Sequence, residues 1–217
     1  MIHNLFTFFG FLNWVDYFFV ALFIKGIFLG RKNGIFKEFI HLVGYYCALN
    51  FALHYYYRFG NLLGRFVVPT FIKEFVGFIV ILVMIGVIFY LIHEGLSAVF
   101  RFDVHPRVFI WGGIVLSFLK SFLLCCAVYV LLLLFNNAAV YQSARNSFFS
   151  NFMRSYVLDS YGKFYSQFVS VFFSREPINY DLFEITSHPR QTKQQEKSKQ
   201  EKKANTFTDA IQGNRDL

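Results

Sequence analysis

Residues 13–38 read NWVDYFFVALFIKGIFLGRKNGIFKE, and this stretch decides the fold class. Asn13 is a helix-capping residue type, Trp14 suits a membrane–water interface, and Asp16 falls in the first turn, where the positive helix end favours a carboxylate. An apolar run follows, and then Gly26, Gly30 and Gly34 at four-residue spacing, with Arg31 and Lys32 between the last two. Glycines four apart on an apolar helix leave a bare stripe on which another helix can approach closely. Gly34 is followed at once by Ile35-Phe36-Lys37-Glu38, the head of a second apolar stretch. The pattern predicts a first membrane helix, a tight basic turn, and the entry to a second helix.

Composition agrees with a membrane reading. Of 217 residues, 56% are hydrophobic and the mean hydropathy is +0.44, above the roughly 45–50% apolar content of soluble domains. The net charge of +8 would suit nucleic acid, but its placement does not. Residues 1–173 carry 13 Lys/Arg against 6 Asp/Glu, while 174–217 carry 8 against 7. The excess therefore sits on turns of the hydrophobic part, where anionic lipid headgroups are the simpler partner. Cys47, Cys125 and Cys126 all lie inside apolar runs and read as inert buried thiols. Residues 1–13 lack Lys and Arg, and no small-residue cleavage site follows them, which argues against a signal peptide.

Taken in order, residues 1–12 are apolar but short and read as interfacial. Spans are predicted at about 14–30, 35–55, 75–92 and 108–135, close to the ~20 residues that a bilayer core requires. Polar connections are predicted over 58–74 and 96–107. Gly60 and Gly64 in the first of them are a weak packing signal. The fourth span is long and holds Lys120 in its middle, so one tilted helix and two half-helices both fit. Beyond Val140, Phe148/Phe152/Tyr156 and Phe149/Met153/Val157 recur at four-residue spacing, and Tyr161, Phe164, Phe168 and Phe172 continue the stripe. That periodicity predicts an amphipathic helix, interfacial or packed on the bundle. After Pro177 the apolar period is lost, and the tail reads as solvated and disordered.

The fold class expected is thus all-α: a polytopic membrane protein of about four transmembrane helices, with a C-terminal amphipathic helix and a disordered tail. Its parts are a membrane domain over 1–137, an amphipathic region over 138–174 and a polar tail over 175–217.

An Asp at the head of the first span and a Gly-rich basic turn ending G-I-F-K-E resemble the bacterial colicin V production protein family (CvpA-like). The resemblance returns at Gly113, Ser117, Lys120 and Ser121, where the family has Gly, Gly, Arg and Gly at the same spacing. Ser replaces Gly twice and Lys replaces Arg once. The family's preceding Asp-Arg pair is displaced, with Asp103 and Arg107 the nearest candidates. The resemblance covers about residues 13–135. It implies a multi-pass protein of the bacterial inner membrane that supports production or export of a peptide toxin, or envelope homeostasis; a non-enzymatic role is expected because no catalytic motif is found. Its expected partners are the lipid bilayer, secretion or envelope proteins and a second copy of the chain, with no nucleic acid and no cofactor. The Lys/Arg count near the spans does not settle orientation, with six on the side of the first turn and five on the other, and the charges of the tail itself tip the whole count toward a cytoplasmic C-terminus.

The candidate residues each have two readings. Asp16 is a helix cap or an intramembrane proton or ion site. Lys25 and Lys120 bind an anionic substrate or lipid phosphate, or they snorkel as structural cations. Glu38 and His41 share a helix face, a fragment of a di-iron site, but no second E-x-x-H accompanies them and no metal is expected. Glu38 paired with Lys37 or Arg31 to hold the turn is simpler. No G-x-S-x-G, H-E-x-x-H or phosphate-loop pattern occurs, so catalysis has no positive support. The class-distinct alternative is a small transporter or channel whose polar path uses Asp16, Lys25, His41 and Lys120. Gly26, Gly30, Gly34, Gly113, Ser117 and Ser121 are expected to make the close helix contacts.

Overall fold

The computed structural model describes residues 13–62, 70–99, 106–135, 137–173 and 177–187. Four long helices come first: α1 (Trp14–Asn33), α2 (Ile35–Leu62), α3 (Thr70–Val99) and α4 (Pro106–Leu134). Shorter ones follow: α5 (Ala138–Arg145) and α6 (Ser150–Phe164), which passes through a π-helical turn over Tyr165–Val169 into α7 (Ser170–Phe172), and then α8 (Tyr180–Ser187). No strand occurs among the described residues, as the all-helical reading required.

The hinge between α1 and α2 is a single residue. Gly34 has φ 77 and ψ 172, a region open essentially to glycine alone, so α1 ends and α2 begins across one peptide. The ring of Phe109 in α4 lies where a side chain at Gly34 would project. That turn folds α2 back beside α1, yet the two helices touch little; both lean on α4.

The α1–α4 seam is the one the glycine spacing implied. Gly26 meets Ser117 and Ser121, and Gly30 meets Gly113 and Ser117, so the helices run antiparallel. A methyl at Gly30 would stand 2.5 Å from the Gly113 carbonyl oxygen and 2.6 Å from Ser117 Cβ. Ser117 Oγ also donates to the Gly26 carbonyl oxygen at 2.6 Å, a polar stitch across the seam. On the far side α3 packs antiparallel along α2, with Gly44 against Phe89 and Gly77 against the backbone of Tyr56 and Gly60.

Boundaries differ from the sequence expectation in two places. First, α2 runs past Tyr55 through Arg58 to Leu62, and α3 starts at Thr70 and continues beyond Ile92 to Val99. Charged residues end an apolar stretch, but they do not break backbone hydrogen bonding, so the helices outlast their greasy segments. Buried Gly60 then packs on Lys73 of α3, while Gly64 lies outside the described residues. Residues 106–134 form one continuous helix, one of the two arrangements open from sequence. Second, residues 177–187 are not a solvated tail. They include α8, whose Leu182 and Ile185 are buried in the main core. Asp103, the interfacial 1–12 segment and the tail beyond Ser187 lie outside the described residues.

Among the described residues two helices are long and apolar enough to cross a membrane, Ile72–Leu96 within α3 and Arg107–Leu134 within α4. The outer face of α3 is bare of protein: Val83, Met84, Val87, Ile88, Tyr90, Leu91 and Ile92 are all exposed. A soluble core helix would bury that row. Helix α6 instead turns one stripe inward. Met153, Val157 and Tyr161 are buried, while Phe148 and Phe152 of the neighbouring stripe point out.

Candidate functional site

Polar groups gather at two places in the bundle, one toward each end. The first lies near the Gly34 turn. Glu38 follows that turn on α2 and is fully buried. Its Oε1 accepts from Asn33 Nδ2 at 2.6 Å, and its Oε2 pairs with Lys120 Nζ from the middle of α4. The Lys120 side chain is 12% exposed and the Glu38 side chain 0%, so this is a buried ion pair and not a surface one. Both carboxylate oxygens being engaged is what makes burial of the charge tolerable. The expected pairing of Glu38 with Lys37 or Arg31 is therefore replaced. Arg31 is exposed, Lys37 is half-buried, and the long-range partner from α4 takes the site because its stem reaches the carboxylate from inside the bundle.

One turn beyond Glu38, His41 faces His93 of α3, with ring centroids 5.2 Å apart and ring planes at 51°. His93 is buried, and its Nδ1 has no hydrogen-bond partner among the described residues. Beside them a cavity of about 440 Å³ opens between α2, α3 and α4, lined by His41, Gly44, Tyr45, Tyr90 and Leu123 among others. Among the described residues no group of three or more His, Cys, Asp or Glu side chains is placed to hold a metal ion.

The second polar group sits where α1 begins. Asn13 and Asp16 form a reciprocal capping box: the Asn13 backbone N–H donates to Asp16 Oδ2 at 2.9 Å, and the Asn13 side chain accepts from the first turn of the helix. Asp16 is fully buried because the turn between α5 and α6 closes over it. Ser147 Oγ donates to Oδ1, and the Phe148 N–H donates to Oδ2 at 3.2 Å. Asp16 is thus a cap that also pins a later element. Nearby, His54 Nδ1 hydrogen-bonds the Tyr161 hydroxyl at 2.9 Å, which also accepts from the Asn179 N–H at 2.9 Å. Burial pushes the Tyr161 phenol up to about 12. Burial likewise raises Tyr141, whose hydroxyl donates to the Ile185 carbonyl oxygen at 3.3 Å.

The structure therefore brings Glu38, His41 and Lys120 into one cluster and adds Asn33 and His93, which sequence reasoning did not nominate. Asp16 belongs to the other end. Lys25 is exposed on α1 and joins neither group. The polar path through Asp16, Lys25, His41 and Lys120 is not assembled. A lysine in mid-span needs a counter-charge, and that requirement alone could have paired Lys120 with Glu38 in advance.

The class is set by these features: an all-helical bundle with membrane-competent helices, a glycine–serine seam, and a buried ion pair bridging the basic turn and the last long helix. The family model for the colicin V production protein matches residues 15–157, and the chain belongs to that family. The match takes in the seam, the Glu38–Lys120 cluster, Asp16 with Ser147, and the inward stripe of α6 as far as Val157; Asn13, Tyr161 and Asn179 lie outside it. No curated protein and no solved structure matches the chain.

Proposed function

We propose that the chain is a non-enzymatic component of the bacterial inner membrane that crosses the bilayer four times and supports peptide toxin production or export, or envelope homeostasis. The observation that carries this reading is where α1 and α2 put their polar groups. Asp16, Glu38, Asn50 and His54 are turned inward and buried, while Phe18, Ile24, Phe28, Phe39 and Val43 are exposed. A helix of 20 residues, the length of α1, is about 30 Å long, enough for the hydrocarbon core. The four buried polar groups avoid lipid, while the exposed cations Arg31, Lys32 and Arg58 lie near helix ends and Lys25 has a stem long enough to carry its charge toward the headgroups. On this reading the C-terminal tail is cytoplasmic, and the protein acts through lateral contacts with secretion or envelope proteins or with its own copies.

Single cysteines at Asn33, Leu62, Arg107 and Asn146, introduced after replacing the three native ones, test the topology. Four crossings require Asn33 and Arg107 to label from one side of the membrane and Leu62 and Asn146 from the other. Labelling of Asn33 and Leu62 from the same side overturns it. For function, purified protein in liposomes should pass no ion or solute and should retain partners from solubilised membranes. The second reading, a small transporter, is favoured by the buried Glu38–Lys120 pair beside His41 and His93. Solute flux that disappears in Lys120→Met would select it.

A further inference from the structure

We infer that His41 and His93 form an intramembrane proton-binding site, in which a bound proton competes with Lys120 for the single carboxylate of Glu38. The inference goes beyond the proposed role, since a scaffold and a transporter could each use it. Its first support is the orphan atom. A neutral imidazole has one N–H and one bare nitrogen, and buried polar atoms are nearly always paired. His93 Nδ1 is buried without a partner among the described residues, the His93 and His41 ring centroids are 5.2 Å apart, and His41 lines a cavity of about 440 Å³. Two facing imidazoles can hold one proton between them, and such a pair titrates as a unit.

The second support is charge balance. The charged and titratable groups acting on His41 are Lys37 and Glu38 on its own helix, Lys120 from α4 and His93 from α3. Tyr45 and Tyr90 line the same cavity, and Glu94, next to His93, is exposed. From α1 the cluster receives Asn33, which is neutral. Among the described residues that act on His41, Glu38 is thus the one carboxylate, and Lys120 holds it. Adding a proton to the imidazoles makes two cations for one anion in a low-dielectric interior. The carboxylate can then serve the imidazolium only if Lys120 lets go, and its four-carbon stem can swing the ammonium toward the water at the Gly34 end. Before binding, the cluster holds Glu38 anionic, Lys120 cationic and two neutral rings. Afterwards it holds Glu38 anionic and a ring pair carrying one proton, with Lys120 still cationic but displaced. Because Lys120 belongs to α4 and Glu38 to α2, proton occupancy would change the contact between those helices.

Nitrogen-15 NMR of the histidine rings tests this on the full chain in nanodiscs of phosphatidylethanolamine and phosphatidylglycerol, titrated over about pH 5 to 9. His41 and His93 should respond together in two coupled steps. His93→Gln should leave His41 a single step with its proton affinity changed about tenfold or more. The paired replacement Glu38→Gln with Lys120→Met removes both charges and should change the affinity of the imidazoles about tenfold or more, because Lys120 and Glu38 both act on them. The His54 signal, held by Tyr161 away from the cluster, reports that each variant is folded. Independent titration of the two rings, or an affinity unchanged in the paired replacement with His54 intact, would overturn the inference.

Discussion

Lys120 Nζ and Glu38 Oε2 form an ion pair between residues 82 apart in sequence, and Asn33 Nδ2 holds the other carboxylate oxygen at 2.6 Å. Three helices are thereby joined at one carboxylate: the last residue of α1, the first turn of α2 and the middle of α4. The glycine–serine seam brings the α1 and α4 backbones close, and the ion pair ties the start of α2 to the same helix. Lys120 follows Ser117 by three residues and Gly113 by seven, so both features lie on one side of α4 while acting on different partners.

Removing one member of the pair should cost more than removing both. Breaking a buried ion pair by one substitution typically costs about 3–5 kcal/mol, while replacing both members by neutral groups is close to neutral. The two single losses should also differ. Lys120 has a long stem and can carry its charge toward water when Glu38→Gln removes its partner. Glu38 has a short side chain that is fully buried, so Lys120→Met strands a carboxylate. Unfolding by denaturing detergent in bicelles should therefore rank Lys120→Met below Glu38→Gln, with the double variant nearest to wild type. Additive losses in the double variant would mean that the two groups do not interact.

The seam should be the least forgiving place for added volume. Gly30→Val puts branched carbons where a methyl already comes within 2.5 Å of a backbone oxygen, and backbone cannot rotate aside as a side chain can. Separation of α1 from α4 should cost about 1–3 kcal/mol or more and lower the midpoint of thermal aggregation in detergent. Gly95→Ala is the control, because nothing lies within 4 Å of a methyl there. It should be neutral or stabilise by about 0.5–1 kcal/mol through helix propensity. Equal effects at the two positions would show that glycine content, and not close approach, is what matters.

How far the sequence foretold this arrangement depends on whether a signal was local. The four-residue glycine spacing and the serines that follow it announce a close helix contact, and the seam uses all six of those positions. The N-cap at Asn13 and the carboxylate three residues on are equally local, and they form the capping box. The ends of α2 and α3 were harder to place, because hydropathy marks where lipid stops and not where a helix does. The fate of residues 177–187 was hidden for another reason. Leu182 and Ile185, with Ile178 packed beside them, carry that segment into the core, too few to show a period, and Asn179 docks it by donating to the Leu53 carbonyl oxygen at 2.8 Å. The role of His93 was not legible at all, since nothing near it in sequence tells which helix it will face.

Asp16 gives a test that separates capping from ion conduction. Asp16→Asn removes the charge that accepts from Ser147 Oγ, and Ser147→Ala removes the donor while leaving the carboxylate. If Asp16 is a cap and a pin, both changes should loosen the α5–α6 turn, with a stability cost of about 1–2 kcal/mol. Trypsin should then cut faster at Arg145, the exposed last residue of α5. A loss of ion flux in Asp16→Asn with unchanged cleavage at Arg145 would favour the ion-site reading.

Alkaline pH should unfold the C-terminal layer first, and Tyr161 supplies the sign. Its phenol ionises at about 12 in the folded chain against a reference of 10.0, because burial disfavours the anion. The unfolded chain therefore releases the proton at lower pH than the folded one. The stability tied to the neutral phenol is fully present below pH 10.0 and is lost as pH rises toward 12. Tyr161→Phe has no proton to release, so its melting temperature should fall less over that window, although it starts lower for want of the contacts to His54 and Asn179. The slope should shrink and not vanish, since Tyr141 is raised by burial as well and remains in place. Melting curves of the two proteins across that range decide it, and parallel slopes would show that the Tyr161 hydroxyl meets water in the folded state.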